Sequence, residues 1–206
     1  MIDESKAAAN RAAREAKKSE HLRGVMDRHT EKFRAMANAA PQAAAREAHA
    51  AIEAVLDRDR QRDAASRDIR CGKGCSHCCR GPVEIRAHEA VLLVEAAREL
   101  GVEIDRARLE RQSGSTVATW RQQPAADRAC VFLGADGACT VYESRPGACR
   151  KLLVTSDPAL CDADANASDR IERWFSWEAE IMESAALEVF GVELMPRLLL
   201  EALKDK

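Results

Sequence analysis

Apolar side chains in the N-terminal region recur at alternating gaps of four and three residues. This spacing places them on one face of a helix from about Ala7 to Asn38. The stripe consists of Leu22, Met26, His29, Phe33 and Met36. After Pro41, a second helix is predicted from about Gln42 to Ala65. We expect the two helices to form a hairpin that packs on the remainder of the chain or on a protein partner.

The same periodicity returns in the second half of the chain. It predicts a helix from His88 to Leu100 and a weaker helix from about Asp105 to Trp120. A capping pattern at Asp169 predicts a helix that reaches Phe190. Pro196 suits the first turn of a final helix that ends at Leu203.

One extended segment interrupts these helices. Two short apolar runs flank Asp136-Gly137, and this arrangement is a strong signal for a β-hairpin. Such a hairpin would bring Cys130 and Cys139 to neighbouring positions on paired strands. The predicted fold is therefore mainly α, with helices around a compact cysteine-rich core that contains one small β-hairpin. We expect a helical appendage over residues 1–66, a cysteine-rich domain over 67–162, and C-terminal helices over 163–206 that pack on it.

Four of the eight cysteines lie within nine residues, as Cys71, Cys75, Cys78 and Cys79. Zinc and iron–sulfur centres take about four thiolates, and two of them commonly come from one short loop. The two-residue gap between Cys75 and Cys78 lets both sulfurs face one ion, and the glycines of the loop permit positive φ values. The run therefore predicts metal binding through sulfur.

The other four cysteines lie downstream, as Cys130, Cys139, Cys149 and Cys161. An even count also fits disulfides, but adjacent residues in an extended chain project to opposite sides. The neighbouring pair Cys78-Cys79 therefore favours ligands for two metals, or for one metal and a second role. Arg80, Arg145, Arg150 and Lys73 lie beside the cysteines and could offset thiolate charge, or could equally be surface cations.

The net charge and the hydropathy of the chain limit the classes of partner and the cellular compartment that we expect. The formal net charge of the 206 residues is −2, which does not favour nucleic acid or an anionic membrane as a partner. The first residues are polar, and no stretch approaches about twenty apolar residues. We therefore expect a cytoplasmic protein, in which a dense thiol cluster binds metal rather than forms disulfides.

Several residues outside the cysteines are further candidates for ligands or cofactor contacts. His29 lies on the apolar stripe and is expected to be a partly buried core residue. His88 is close to the cysteine run in sequence, but we expect a surface histidine near the start of a helix. Trp174, Phe175 and Trp177 could stack on a cofactor, although aromatic residues at helical spacing usually belong to a core.

The cysteine spacing resembles that of the YkgJ-like cysteine-cluster proteins, the zinc- or iron-chelating CxxCxxCC domain. A flagellin lysine methylase looks like a more distant relative. The resemblance covers Arg70 to Asp162 and includes Phe132-Leu133 after Cys130 and Arg145-Pro146 before Cys149. The first gap has three residues here, whereas the family's name has two. The resemblance implies metal chelation by Cys71, Cys75, Cys78, Cys79, Cys130, Cys139 and Cys149, and Cys161 follows at a looser spacing.

The pattern leaves the metal and its role open. Eight thiols divide into two closed zinc sites of four, but the adjacent cysteines and uneven gaps favour an iron–sulfur cluster for at least part of the set. The corresponding hypotheses are a redox or modifying metalloprotein, a zinc-stabilised interaction module, and a metal storage or delivery protein. The sequence contains no Ser/His/Asp set, phosphate loop or dinucleotide fingerprint, so catalysis stays undecided.

Overall fold

The fold is mainly helical, as predicted, and begins with a helical hairpin. A computed structural model describes residues 4–37, 40–162, 164 and 170–204. Helix α1 spans Glu4–Ala37 and helix α2 spans Pro41–Arg62. Pro41 lies in the first turn of α2, where its missing N–H costs no hydrogen bond. The two helices contact each other, which confirms the predicted hairpin.

Five further helices follow in chain order within the described residues. They are α3 (Ala87–Glu99), α4 (Arg106–Ser113), α5 (Gly147–Lys151), α6 (Trp177–Phe190) and α7 (Met195–Ala202). The cysteine-rich region between them is built mostly from turns and short 3-10 helices. Two of these short helices, His77–Arg80 and Pro158–Cys161, carry cysteines.

In the part of the chain that the structure describes, four two-residue strands join distant segments. Strand β1 (Glu84–Ile85) pairs antiparallel with β4 (Glu193–Leu194), and β2 (Leu153–Val154) pairs antiparallel with β3 (Arg173–Trp174). Each pair ties the cysteine-rich region to the segment that follows it, so the C-terminal helices are held against that region by backbone hydrogen bonds.

The predicted chain reversal at Asp136-Gly137 is present. Gly137 has a positive φ of 76°, and the backbone N–H of Thr140 donates to the carbonyl of Phe132 at 2.8 Å. The pairing is limited to one antiparallel bridge between Leu133 and Cys139. Cys139 therefore lies opposite Leu133 and not opposite Cys130, so the predicted pairing of the two cysteines on adjacent strands is wrong.

Two helix boundaries differ from the prediction. Helix α4 ends at Ser113 instead of reaching Trp120, because Gly and Ser are weak helix formers and the carbonyls of Ser113 and Ser115 accept hydrogen bonds from Arg197 at 2.8 and 2.6 Å. The predicted start of the next helix at Asp169 lies outside the described residues. Helix α6 begins at Trp177, where the hydroxyl of Ser176 accepts from the N–H of Ala179 at 3.2 Å.

Two main cores support the cysteine-rich region. The first core is formed by α3, α4, α7 and the 130–141 segment, and contains Ile85, Leu93, Leu109, Phe132 and Leu199. The second core is formed by α1, α2, α6 and the β2–β3 pair, and contains Val25, Ile52, Leu56, Leu153, Trp174 and Met182. Cys130 and Cys139 pack against the first core, whereas Cys71 packs against the second.

The apolar stripe of α1 packs within the chain, mainly on α6. Phe33 is buried and its ring lies 6.2 Å from that of Phe190. His29 is partly buried beside Phe33, with 5.7 Å between ring centroids, as expected of a core histidine. Among the described residues, no helix has the length and apolar character needed to cross a membrane.

Candidate metal centre

The upstream cysteines lie on a tight loop followed by a short helix. The N–H of Cys75 donates to the carbonyl of Gly72 at 3.0 Å, and Gly74 has a φ of 93°, a conformation that glycine adopts without strain. The short helix His77–Arg80 then carries the adjacent pair Cys78 and Cys79. Gly74 thus takes the positive φ that was predicted for the loop, whereas Gly72 does not.

Cys71 is held at the edge of strand β2. The N–H of Arg70 donates to the carbonyl of Val154 at 2.8 Å, and the N–H of Val154 donates to the sulfur of Cys71 at 3.1 Å. Backbone N–H groups directed at sulfur are a common support for metal-bound thiolates. The backbone of β2 therefore presents this thiol in a way that suits a ligand.

The downstream cysteines reach the same region from three separate segments. The N–H of Cys130 donates to the carbonyl of Cys79 at 2.8 Å. Cys149 lies on α5, which begins directly after Pro146. Cys161 ends a short helix that packs against His77–Arg80. All eight cysteines are free thiols of intermediate exposure.

Electrostatic coupling shows how close the thiols are to one another. Burial raises the pKa of Cys161 to about 11, and the neighbouring thiols Cys78, Cys71 and Cys75 add to the increase. Burial likewise raises the pKa of Cys71, although the hydrogen bond from Val154 opposes it. Ionising several of these groups together is therefore costly unless a cation joins them.

Cys130 and Cys149 show the same effect. Burial raises the pKa of Cys130 to about 12, and Cys139 and Cys78 add to it. Burial also raises the pKa of Cys149 well above its usual value, with contributions from Cys130, Cys78 and Cys139. Within the adjacent pair, a hydrogen bond between the two thiols lowers the pKa of Cys78 and raises that of Cys79.

The structure thus gathers all eight candidate ligands into one region. Across the described residues, however, no three or more His, Cys, Asp or Glu side chains are already arranged to hold an ion. The donor set itself consists of soft thiols supported by backbone N–H groups, and it fits zinc or an iron–sulfur cluster. Thiols commonly converge fully only when the metal replaces their protons.

The neighbouring cations are bound mainly to carboxylates and carbonyls. Arg80 lies 3.6 Å from the carboxylate of Asp162. Arg150 is buried and donates to Glu53 at 2.7 Å and to the backbone carbonyl of Arg145 at 2.8 Å. These contacts give Arg80 and Arg150 structural partners and fix the turn that precedes Cys149.

Arg145 and Lys73 lie close to one aromatic ring. The guanidinium of Arg145 lies 3.9 Å from the centre of the Tyr142 ring, and the ammonium of Lys73 lies 5.9 Å from it. Burial raises the pKa of Cys139, and the positive charge of Arg145 opposes that rise. Arg145 is therefore placed to stabilise a thiolate at Cys139.

A buried ion network next to the cysteines was not predicted from the sequence. Arg86 and Glu89 are each 1% exposed. One carboxylate oxygen of Glu89 accepts from His49 at 2.6 Å, from Arg86 at 2.7 Å and from the N–H of Gly147 at 2.9 Å. Arg86 also lies 2.8 Å from Glu183 of α6. The network anchors the start of α5, two residues before Cys149.

Gly147 is required at this point because the network approaches its backbone closely. A Cβ atom there would collide with the carboxylate of Glu183 and lie 3.0 Å from Arg86. In the sequence, only Glu89 in the first turn of a predicted helix hinted at this arrangement. The other members of the network, on α2, α5 and α6, are remote from Glu89 in the sequence, and no sequence pattern predicted their contacts.

The predicted surface position of His88 is wrong. The residue is buried against Phe190, with 3.9 Å between ring centroids, and burial lowers its pKa to about 4. Trp174 belongs to the second core, as expected, and its indole N–H donates to Asp63 at 2.8 Å. Phe175 and Trp177 are 41% and 52% exposed, contrary to the expectation that the aromatic residues form a core.

Comparison with known proteins agrees with the cysteine pattern. The family model CxxCxxCC, described as "Putative zinc- or iron-chelating domain", matches residues 70–172, which is half of the chain. No curated protein and no solved structure gave a significant match. The matched residues include all eight cysteines, and the family description supports metal binding in general. The chain therefore belongs to the CxxCxxCC family of zinc- or iron-chelating domains.

Proposed function

We propose that this protein is a cysteine-ligated metal protein that carries an iron–sulfur cluster in at least part of its thiol set and serves in electron transfer or in the modification of a substrate. The ligands are Cys71, Cys75, Cys78, Cys79, Cys130, Cys139, Cys149 and Cys161. The observation that carries the proposal is the gathering of eight free thiols from four segments of the chain into one half-buried region.

The surroundings of the thiols support a metal rather than a store of free cysteines. Burial and mutual proximity raise the pKa of most of them, so thiolates form there only with a compensating charge. Nearby arginines are mainly paired with carboxylates such as Glu53 and Asp162. A metal ion or cluster supplies the missing positive charge and converts thiols into ligands.

One feature supports iron and sulfide over zinc alone, and a second would suit a cluster once it is bound. Cys78 and Cys79 are adjacent on a short helix, and simple zinc knuckles separate their paired cysteines by two or more residues. The sulfur of Cys71 accepts a backbone hydrogen bond, which is one of the contacts that tune the reduction potential of such clusters. When bound, the cluster supplies one-electron transfer.

The residues of the chain would set the conditions for that chemistry. The N–H of Val154 stabilises charge on Cys71, and the cation of Arg145 stabilises charge on Cys139. The first and second cores exclude water from one side of the thiols. The intermediate exposure of every cysteine leaves the other side accessible to an electron donor or a substrate.

A zinc-stabilised interaction module is the second candidate, and one observation favours it. The cysteines contact both cores, with Cys71 on the second core and Cys130 and Cys139 on the first. Closed tetrahedral sites that use cysteines from both sets would therefore crosslink the two cores. The exposed pair Phe175 and Trp177 would then be available to a protein partner.

Metal and sulfide analysis of protein purified without oxygen separates the two candidates. The comparison uses the native chain, Cys75→Ser, and Ser76→Ala as a control in the same loop. We expect iron, inorganic sulfide and broad visible absorption, which Cys75→Ser weakens and Ser76→Ala leaves unchanged. A colourless protein with about two tightly held zinc ions would instead identify the structural alternative. A native chain that binds neither metal would overturn the proposed function.

A further inference from the structure

The cysteines form two groups according to the core that supports them, and the adjacent pair Cys78-Cys79 lies between the two groups. On one side, Cys71 packs against the second core and its sulfur accepts from Val154 at 3.1 Å. The short helix that ends at Cys161 packs against the helix His77–Arg80. Asp162 lies 3.6 Å from Arg80, which holds these two short helices together. Cys75 enters this group from the loop that joins Cys71 to Cys78.

The remaining cysteines are organised around the first core. Cys130 and Cys139 both pack against that core. The N–H of Cys130 donates to the carbonyl of Cys79 at 2.8 Å, and this bond fixes the downstream segment to the second member of the adjacent pair. The bridge between Leu133 and Cys139 places Cys139, at the other end of the turn, beside the segment that follows Cys130.

Cys149 joins the first-core group through the buried ion network. The N–H of Gly147 donates to Glu89 at 2.9 Å, and Glu89 belongs to α3, which forms one wall of the first core. The start of α5 is thus attached to α3, while Arg150 and Lys151 at its end reach Glu53 of α2 and Glu180 of α6.

The adjacent cysteines are suited to serve different sites. They occupy successive positions of a 3-10 helix, where consecutive side chains leave the axis roughly 120° apart. One thiol can therefore turn towards the group on the second core while its neighbour turns towards the group on the first core.

We propose that the cysteines form two neighbouring metal sites of four thiolates each. The first consists of Cys71, Cys75, Cys78 and Cys161, and the second consists of Cys79, Cys130, Cys139 and Cys149. Each takes one soft divalent ion or one iron–sulfur cluster, since both donor sets contain only sulfur. This inference rests on the proposed function and assigns the ligands of its centre. Binding of a divalent ion displaces the remaining thiol protons to solvent.

The test compares two double variants that remove the same number of thiols. Cys71→Ser/Cys161→Ser removes two ligands from one site, whereas Cys71→Ser/Cys139→Ser removes one ligand from each. The reduced, metal-free proteins are titrated with cobalt(II) without oxygen, and thiolate-to-cobalt charge-transfer absorption is recorded. The native chain should bind about two ions. The same-site variant should retain one ion with an unaltered tetrahedral spectrum, and the cross-site variant should show no site with four thiolates.

The possible results separate a failure of the two-site assignment from a failure of the proposed function. Equal cobalt stoichiometry and equal spectra for the two double variants would overturn the division into two sites. If the native chain binds no cobalt, zinc or iron, the proposed function fails together with it. Circular dichroism first checks that both variants keep the helical content of the native chain.

A measurement on the native chain covers the case in which a variant does not fold. The protein is loaded with one equivalent of zinc and alkylated, and the protected cysteines are mapped in intact molecules by mass spectrometry. We expect each molecule to protect one complete group, either Cys71, Cys75, Cys78 and Cys161 or Cys79, Cys130, Cys139 and Cys149. Protected sets that mix the two groups would contradict the proposal.

Discussion

Two buried clusters of acidic groups lie side by side in this protein, and they are neutralised in different ways. Glu89 and Glu183 share the cation of Arg86, and Glu89 also accepts from His49 and from a backbone N–H. The thiols near Cys149 raise one another's pKa, and the arginines around them pair with carboxylates. The carboxylates of the first cluster therefore face a cation that the chain itself provides, whereas the second cluster is suited to an ion from outside the chain.

The contrast explains the different architecture of the two regions. The ion network links α2, α3, α5 and α6, so regular helices can meet around it without further support. The cysteine-rich region consists mainly of turns and short helices, and its backbone alone provides few repeating hydrogen bonds. Its rigidity would therefore come from metal–sulfur bonds.

Removing the metal should have the largest effect on stability. It should destabilise the cysteine-rich region and leave the buried ion network intact. Stripping the loaded protein with a chelator is expected to lower the free energy of unfolding by several kcal/mol or more, because the free energy of metal binding contributes to folding. Thermal unfolding with and without added metal measures the effect. A melting temperature that does not change after the metal has been removed would contradict a structural contribution.

Arg86→Met should instead destabilise the buried ion network. It leaves Glu89 and Glu183 without their shared cation, and breaking a buried ion pair in this way costs about 3–5 kcal/mol. Urea unfolding measures the loss. Lys32→Met is the control because it removes an exposed ion pair with Glu47 and should cost less than about 1 kcal/mol. Equal losses for the two variants would show that the buried network has no special role.

Gly147→Ala tests the link between the two clusters. The new methyl group would collide with the carboxylate of Glu183, and overpacking of this kind costs about 1–3 kcal/mol. We also expect weaker metal binding, since α5 carries Cys149. Gly114→Ala is the control because this residue follows α4, outside the metal loop, and a Cβ there meets nothing closer than 3.8 Å. Both variants are compared by urea unfolding and metal titration, and the link is refuted if they behave alike.

The smallest effect at neutral pH is expected for His88, whose contribution to stability changes only in acid. Burial lowers the pKa of His88 to about 4, so the unfolded chain binds a proton below about pH 6.5 that the folded chain does not. Its stabilising contribution is complete above pH 6.5 and is lost as the pH falls to 4. His88→Gln should remove about 3 kcal/mol of this dependence between pH 6.5 and 4, as measured by urea unfolding at several pH values. Parallel pH profiles for the native chain and the variant would exclude this role.

Local patterns in the sequence were sufficient for several features. The spacing of apolar residues predicted α1, α2 and α3 to within a few residues, because a helix depends on hydrogen bonds between near neighbours. The turn at Asp136-Gly137 was predicted because its glycine adopts a positive φ. The cysteines were identified as candidate ligands from the chemistry of thiolates and from their spacing.

Other boundaries depend on contacts that no local pattern contains. Trp174 was predicted to lie in a helix, but it pairs with Leu153 in a two-stranded sheet and enters the second core. Helix α6 can therefore begin only after this strand, at the cap provided by Ser176. His88 was expected at the surface because Phe190, which covers it, is about a hundred residues away in the sequence.

The sequence by itself determined the mainly α fold, the helical hairpin and the sulfur-rich donor set, since each depends on residue type and short-range spacing. Only the tertiary structure decided which cysteines face which core and which cation neutralises Glu89. The partners of Glu89 come from α2, α3 and α5, and Glu183 of α6 shares its cation Arg86. Such groups meet only when packing brings remote segments together, because the attraction between charges and the burial of apolar surface depend on distance in space.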